Sequence, residues 1–249
     1  MTVPQKGAYR AFYQSESARY DRTRYRTRYG RLFETLHHGI LKHCLADVPV
    51  GSAVLEVACG TGHVTPLLSE QGLEVFACDL TPEMMQHAVA ATAERTPAPR
   101  FVNADARRLP FASDSFDVIV STRFLHLFPK KQQRDLIIEM SRVLRPGGLL
   151  LVDFDNWYSR WLLAIPYAIY NLLRYRRLAP LAFYNRPSDV VSMLEESGLR
   201  SGEILGIGGT HLVLADWASH AWALRLGALH ERGILRLLAE QFMATARKA

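Results

Sequence analysis

The sequence predicts an α/β fold, a mostly parallel sheet with helices on both faces. Two observations carry this. Between residues 50 and 154, short apolar runs alternate with segments of helical period, the pattern that parallel strands joined by crossover helices produce. The chain also has 249 residues, 49% of them hydrophobic and 22% charged, enough to bury one substantial core. It reads as one domain over residues 1–249: an N-terminal helical region (1–45), a core (50–154), insertions (155–239) and a last strand (240–247).

The elements follow in order. Residues 1–31 hold eight basic side chains and two acidic ones, a surplus equal to the net charge of +6 for the whole chain. The basic character therefore belongs to this arm and not to the whole surface. Tyr9, Tyr13, Tyr20, Tyr25 and Tyr29 are interleaved with its arginines. Leu32, Phe33, Leu36, Ile40 and Leu41 then mark a helix. Strands are expected at Ala53–Val57, Glu74–Cys78, Arg100–Asn103, Phe116–Ser121 and Leu149–Phe154. Thr81 caps a helix whose first position is Pro82, where the missing N–H costs nothing. Leu136, Ile137, Met140, Val143 and Leu144 share one helix face, and Arg145-Pro146-Gly147-Gly148 ends that helix. An aromatic segment (157–185), a helix (188–197), a strand (200–206), an apolar insert (208–239) and a final strand (240–247) complete the chain.

Several classes are excluded. Cys44, Cys59 and Cys78 are odd in number and lack CxxC spacing, so neither a disulfide framework nor a zinc or other metal site is indicated. A reducing compartment and a cytoplasmic location fit that usage, and the first twenty residues hold no apolar signal region. Trp161–Leu173 is too short to span a bilayer and contains Pro166 and Asn171. Peripheral membrane contact through it and Arg174, Arg176 and Arg177 stays open.

The chemistry concentrates in Val54-Leu55-Glu56-Val57-Ala58-Cys59-Gly60-Thr61-Gly62, a buried strand running into a tight turn. Gly60 and Gly62 leave room for a ligand against the backbone, and Asp79 after the second strand sets an acceptor where a ribose diol would lie. A glycine turn with no ligand is the alternative. The third glycine of a dinucleotide fingerprint is replaced by Thr65, and no GxxxxGK[ST] is present.

These residues resemble the class I S-adenosylmethionine-dependent methyltransferases, in particular the ubiquinone/menaquinone-biosynthesis branch. The resemblance rests on LEVACGTG (55–62), CDLTPEMM (78–85), NADARRLPF (103–111), FDVIVS (116–121) and VLRPGGLLLV (143–152). It implies a Rossmann-like fold with a mostly parallel seven-stranded sheet and an N-terminal helical lid. It implies S-adenosylmethionine as cofactor, with Glu56, Gly60 and Gly62 around its methionine end, Ala58 as a further cofactor contact, Asp79 on the ribose and Leu80 against adenine. Asp105 and the Ala106 N–H would meet the adenine edge, and Ser121 the methionine moiety. Ser17-Ala18-Arg19-Tyr20-Asp21 resembles the branch's lid segment, which makes Tyr20 a further cofactor contact.

Methyl transfer from a sulfonium chiefly requires alignment, and a base only where the acceptor must lose a proton. His126, just past the fourth strand, is the candidate base, with helix-start packing as the competing role. Aromatic walls suit a small, flat or lipophilic acceptor. The basic arm keeps RNA or protein as an alternative acceptor, and a non-catalytic cofactor-binding subunit is a third reading. Against nucleic acid, the fourth strand ends in Ser-Thr-Arg-Phe, not the Asn-Pro-Pro-Tyr type. Acceptor atom and oligomeric state are left open.

Overall fold

The computed structural model describes residues 6–159, 183–209, 212, 216, 217 and 219–249. Five strands pair in parallel: β1 (Ala53–Val57), β2 (Glu74–Asp79), β3 (Arg100–Asn103), β4 (Phe116–Ser121) and β5 (Leu144–Asn156). β7 (Leu199–Ile207) and β8 (Gln241–Lys248) complete the order β3-β2-β1-β4-β5-β8-β7, with β8 antiparallel to both neighbours. An eighth short strand, β6 (Tyr184–Asn185), pairs with Asp155 and Asn156. The seven strands of the main path agree with the seven-stranded expectation, and β6 adds to the end of β5, which runs two residues beyond Phe154.

Both faces of the sheet are covered, and the side-chain alternation shows why. In β1, β4 and β5, Leu55, Ile119 and Leu150 join one cluster, while Val54, Val118 and Leu151 join the other. The first cluster is closed by α6 (Lys130–Val143) and α7 (Pro187–Glu196), through Leu136, Ile137, Met140, Val190 and Leu194. The second is closed by α3 (Arg28–Leu45) and α4 (Thr65–Glu70), through Phe33, Ile40, Leu41, Leu67 and Leu68. Each fully buried Leu or Ile contributes roughly 1.5–3 kcal/mol by leaving water. These strands read as continuous apolar runs because neither face meets solvent.

Arg145-Pro146-Gly147-Gly148 turns the chain, and it does so inside the ladder. Phe116 pairs with Leu144 and Val118 with Leu149, so these four residues bulge opposite Asp117. Arg145 Nη1 holds the Asp117 carboxylate at 2.6 Å across the bulge.

The arm is helical. α1 (Lys6–Glu16) and α2 (Tyr20–Arg24) precede α3, which starts where Thr27 Oγ1 accepts from the Gly30 N–H. α5 (Pro82–Ala91) lies between β2 and β3, and α8 (His220–Leu229) packs on α3 through Ala223 beside Leu32 and Leu36. Trp161, Tyr167, Tyr170 and Tyr175, the stretch Trp161–Leu173, and Arg174, Arg176 and Arg177 lie outside the described residues. Among the described residues no helix is long and apolar enough to cross a membrane, and no cluster of His, Cys, Asp or Glu is arranged to hold a metal ion.

Candidate functional site

Strand order reverses between β1 and β4, and a crevice opens at the carboxyl ends of the strands there. It is a cavity of about 320 Å³. The loop after β1 turns tightly, with Ala58, Gly60 and Gly62 at φ of +61°, +54° and +84°. Gly60 lines the cavity and is glycine for its backbone angle, since a Cβ there would meet only Met84 Cε at 3.7 Å. Gly62 has a different reason: a Cβ would fall 2.6 Å from Cα and Cβ of Ala88 on α5. It packs the loop against that helix and is not on the cavity wall.

Three carboxylates line the cavity: Glu56, Asp79 and Asp105. Glu56 is 3% exposed, its Oε2 accepts from Thr65 Oγ1 at 2.6 Å, and burial pushes its carboxyl up to about 8. Asp79 accepts from the Gly60 N–H (2.9 Å) and the Thr81 N–H (2.8 Å), one on each oxygen. Burial raises its carboxyl, and these hydrogen bonds oppose the rise. Asp105 is held by Arg107, through Nε at 3.1 Å and Nη2 at 2.9 Å. Ala58, Leu80 and Ala106 also line the space.

Two other expected residues lie off the wall. Ser121 is fully buried and donates to the Val57 carbonyl at 3.0 Å, joining β4 to β1. His126 sits in a helical turn (Leu125–Leu127), its carbonyl accepting from the Phe183 N–H. Its Nδ1 is buried, and burial depresses its basicity.

The arm closes the opposite side with Arg10, Tyr13, Tyr20 and Tyr25. Gln14 on α1 bridges to Glu83 on α5 at 2.8 Å. Asp21 Oδ1 accepts from Thr61 Oγ1 at 2.6 Å and contacts His63 Nε2 at 3.0 Å, while His63 Nδ1 meets Glu34 Oε1 at 2.6 Å. The Tyr25 ring stacks on His63, and the Arg123 guanidinium lies 5.0 Å from its centre.

His63 and Arg123 were not singled out from the sequence. His63 directly follows the glycine turn, but its carboxylates come from residues 21 and 34, a pairing no local pattern encodes. Arg123 stands in the Ser-Thr-Arg-Phe run that was read only for what it lacks. Behind it lies a buried polar group, in which Asp153 Oδ1 accepts from the Arg123 N–H at 2.6 Å and Oδ2 lies 3.7 Å from His37 Nε2. Burial pushes Asp153 up to about 7 and His37 down to about 3.

Residues 54–148 match a family described as a methyltransferase domain. An uncharacterized protein of Mycobacterium tuberculosis is 31% identical over 161 residues, which are 63% of this chain and 57% of that protein. Demethylmenaquinone methyltransferase of Paenarthrobacter aurescens is 38% identical over 111 residues, 44% of this chain and 42% of that protein. The chain thus spans about half the length of the curated relatives it matches. Among solved structures, magnesium protoporphyrin IX methyltransferase from Synechocystis PCC 6803 with bound S-adenosylhomocysteine superposes with a TM-score of 0.72. The identity is 14%, over 98% of this chain and all of that one. The shared fold is the Rossmann-like fold of the class I methyltransferases.

Proposed function

We propose that this chain is a class I S-adenosylmethionine-dependent methyltransferase, which binds S-adenosylmethionine at the β1–β4 switch and methylates a small aromatic or lipophilic acceptor. The carrying observation is what the glycine loop offers a ligand. A phosphate-binding loop presents free backbone N–H groups. Here Cys59 N donates to the Cys78 carbonyl, Gly60 N to Asp79 and Gly62 N to the Cys59 carbonyl. The ends of β1 and β2 instead line the cavity with the carboxyls of Glu56 and Asp79. The carboxyl oxygens there accept hydrogen bonds, which suits a ribose and an amino group, while the N–H groups of Cys59, Gly60 and Gly62 are already engaged and are not free for a pyrophosphate.

Bound there, S-adenosylmethionine supplies a methyl group already activated on its sulfonium. The chain's residues divide the remaining work. Asp79 holds the ribose hydroxyls, Leu80 flanks the adenine, and Asp105 with the Ala106 N–H addresses its edge. Glu56, Ala58 and Gly60 surround the methionine end, with Tyr20 above. The lid excludes water and fixes the acceptor in line, and alignment of this kind lowers such barriers by up to roughly 7–11 kcal/mol in favourable models.

The acceptor side is built from Tyr13, Tyr25, Phe124, Leu127 and Phe128, rings and aliphatic chains suited to a flat or greasy molecule. A porphyrin and a quinone appear in the names of similar proteins, in keeping with that wall. The test is incubation with methyl-labelled S-adenosylmethionine and fractionated cell extract. Label entering the small-molecule, organic-extractable fraction supports the reading. Label confined to RNA or protein moves the acceptor to those classes, and cofactor binding without transfer to any fraction leaves a non-catalytic binding subunit.

A further inference from the structure

Three arginines line the cavity, and their surroundings differ. Arg10 is exposed on α1, so water solvates it. Arg107 is neutralised by Asp105 at 2.9 Å. Arg123 lies between these cases: the residue is half-buried, and its Nε is buried without a hydrogen-bond partner among the described residues. No carboxylate among them comes within ion-pair distance of its guanidinium, Asp153 and Glu240 acting on it only from farther away. The nearby acids are otherwise engaged. Asp153 accepts from the main-chain N–H of Arg123, Glu240 from the Tyr29 hydroxyl, and Asp155 from Gln241 Nε2 at 2.7 Å. Burial also raises the carboxyls of Asp153 and Glu240, so both ionise reluctantly.

What the guanidinium does have is two aromatic faces, Tyr25 at 5.0 Å and Phe33 at 5.7 Å. Cation–π contacts offset only part of the cost of removing a cation from water. The backbone is unusual too. Arg123 adopts φ +55°, a left-handed conformation that a long side chain rarely takes, held by the Asp153 hydrogen bond. A strained residue thus delivers a half-buried, forked cation with no carboxylate at ion-pair distance among the described residues to the wall of a ligand cavity.

We propose that Arg123 receives a carboxylate of a small molecule bound in this cavity. The proposal rests on the methyltransferase reading and deepens it. A guanidinium matches a carboxylate with two parallel N–H···O bonds, which a neutral amide does not reproduce. Two molecules can bring that group to the site: the cofactor, through its methionine carboxylate, or the acceptor, through one of its own.

Calorimetry on the full chain separates the sources. Wild type and Arg123→Gln are titrated with S-adenosylhomocysteine and with 5′-methylthioadenosine, which keeps the nucleoside thioether and lacks the carboxylate. Protein saturated with S-adenosylhomocysteine is then titrated with benzoate and with benzamide. If the cofactor is the source, Arg123→Gln weakens S-adenosylhomocysteine about 10-fold or more and leaves methylthioadenosine unchanged, as expected for a lost charge-assisted pair. If the acceptor is the source, S-adenosylhomocysteine is unaffected, and a wild-type preference for benzoate over benzamide disappears in the variant. Equal weakening of both nucleosides, or no effect on either pair of probes, overturns the proposal while leaving the methyltransferase reading intact. Wild-type protein that binds no S-adenosylhomocysteine overturns both. Thermal melting checks that Arg123→Gln folds; should it not, Arg123→Lys, which keeps the charge and loses the fork, carries the same comparison.

Discussion

Asp79 and Glu56 are both cavity carboxylates, yet they should respond to different experiments. Asp79 also holds Gly60 and Thr81, so Asp79→Ala removes the proposed ribose acceptor and loosens the turn. Calorimetry should show S-adenosylmethionine affinity falling by about 1–3 kcal/mol, the cost of leaving buried hydroxyls unpaired; unchanged affinity would sink the ribose assignment. Wild type should also bind S-adenosylmethionine more tightly than NAD. Glu56 acts through protons. Its folded carboxyl is raised to about 8 from 4.5, so the stability it contributes is complete below about pH 4.5 and is lost as pH rises through 8. His37, lowered to about 3, contributes stability that is present above its ordinary 6.5 and lost as pH falls below it. The window from pH 6.5 to 8 is therefore free of His37, and there the ligand-free protein should lose stability, by at most about 1.4 kcal/mol per unit for each such carboxyl. Glu56→Gln should flatten that slope in denaturant melts, with Asp153 leaving a residue of it; an unchanged slope would refute the buried-acid account. Asp79, Asp105 and Gly60 were legible because strand, turn and carboxylate lie within a few residues of each other. Ser121, Gly62 and His126 lie beside the cavity lining and not in it, and which way each faces is settled by packing that no local pattern encodes.

Elements were more legible than residues where the apolar period was strong. The helix expected at 188–197 is Pro187–Glu196 and the strand expected at 200–206 is Leu199–Ile207, because burial on defined faces sets both. The two-residue β6 carries no such period. The glycine loop supplies a sharp test at this scale. Gly60→Ala meets no backbone and should cost only the left-handed penalty, roughly 1–2 kcal/mol. Gly62→Ala adds a collision with the backbone of α5 and should cost clearly more, with thermal melts ordering the two variants. The reverse order would mean that the loop is not clamped on α5. The helical arm, the proposed lid, has its own fastening. Asp21 on α2 binds both Thr61 and His63, and a neutral imidazole can donate to only one of the two carboxylates flanking that ring. Asp21→Ala should free α2, raise hydrogen exchange over residues 6–24, and speed S-adenosylhomocysteine release about 3- to 10-fold, as loss of one or two partly exposed hydrogen bonds implies. Unchanged exchange would show that the aromatic contacts alone hold the lid.

Over the whole molecule, the question is whether the basic arm is a cover or a grip. Its charge surplus equals the entire net charge, a distribution that also suits phosphate binding. Much of that charge is engaged within the protein: Arg19 pairs with Glu16, Arg28 with Asp216, Arg24 lies over Tyr20, and Arg10 faces the cavity. Tyr13, Tyr20 and Tyr25 between them line the cavity, and Tyr29 donates to Glu240, so these four do not form an exposed stacking platform. The truncation that tests this must stop before Thr27, because that residue caps α3, whose Leu32, Phe33, Ile40 and Leu41 are buried. Deleting residues 1–24 should therefore leave a folded protein that binds S-adenosylhomocysteine more weakly and no longer transfers methyl groups, since Tyr13, Tyr20 and the Asp21 fastening go together. Nucleic-acid binding gives the opposing result to look for. Phosphate-driven affinity falls steeply with salt, with a log–log slope of about −0.7 per contact for single strands. If the full chain bound RNA tightly at physiological salt with a slope of several contacts, and the truncated protein lost that binding yet still methylated a small molecule, the arm would be a grip and the lid would have to be given up.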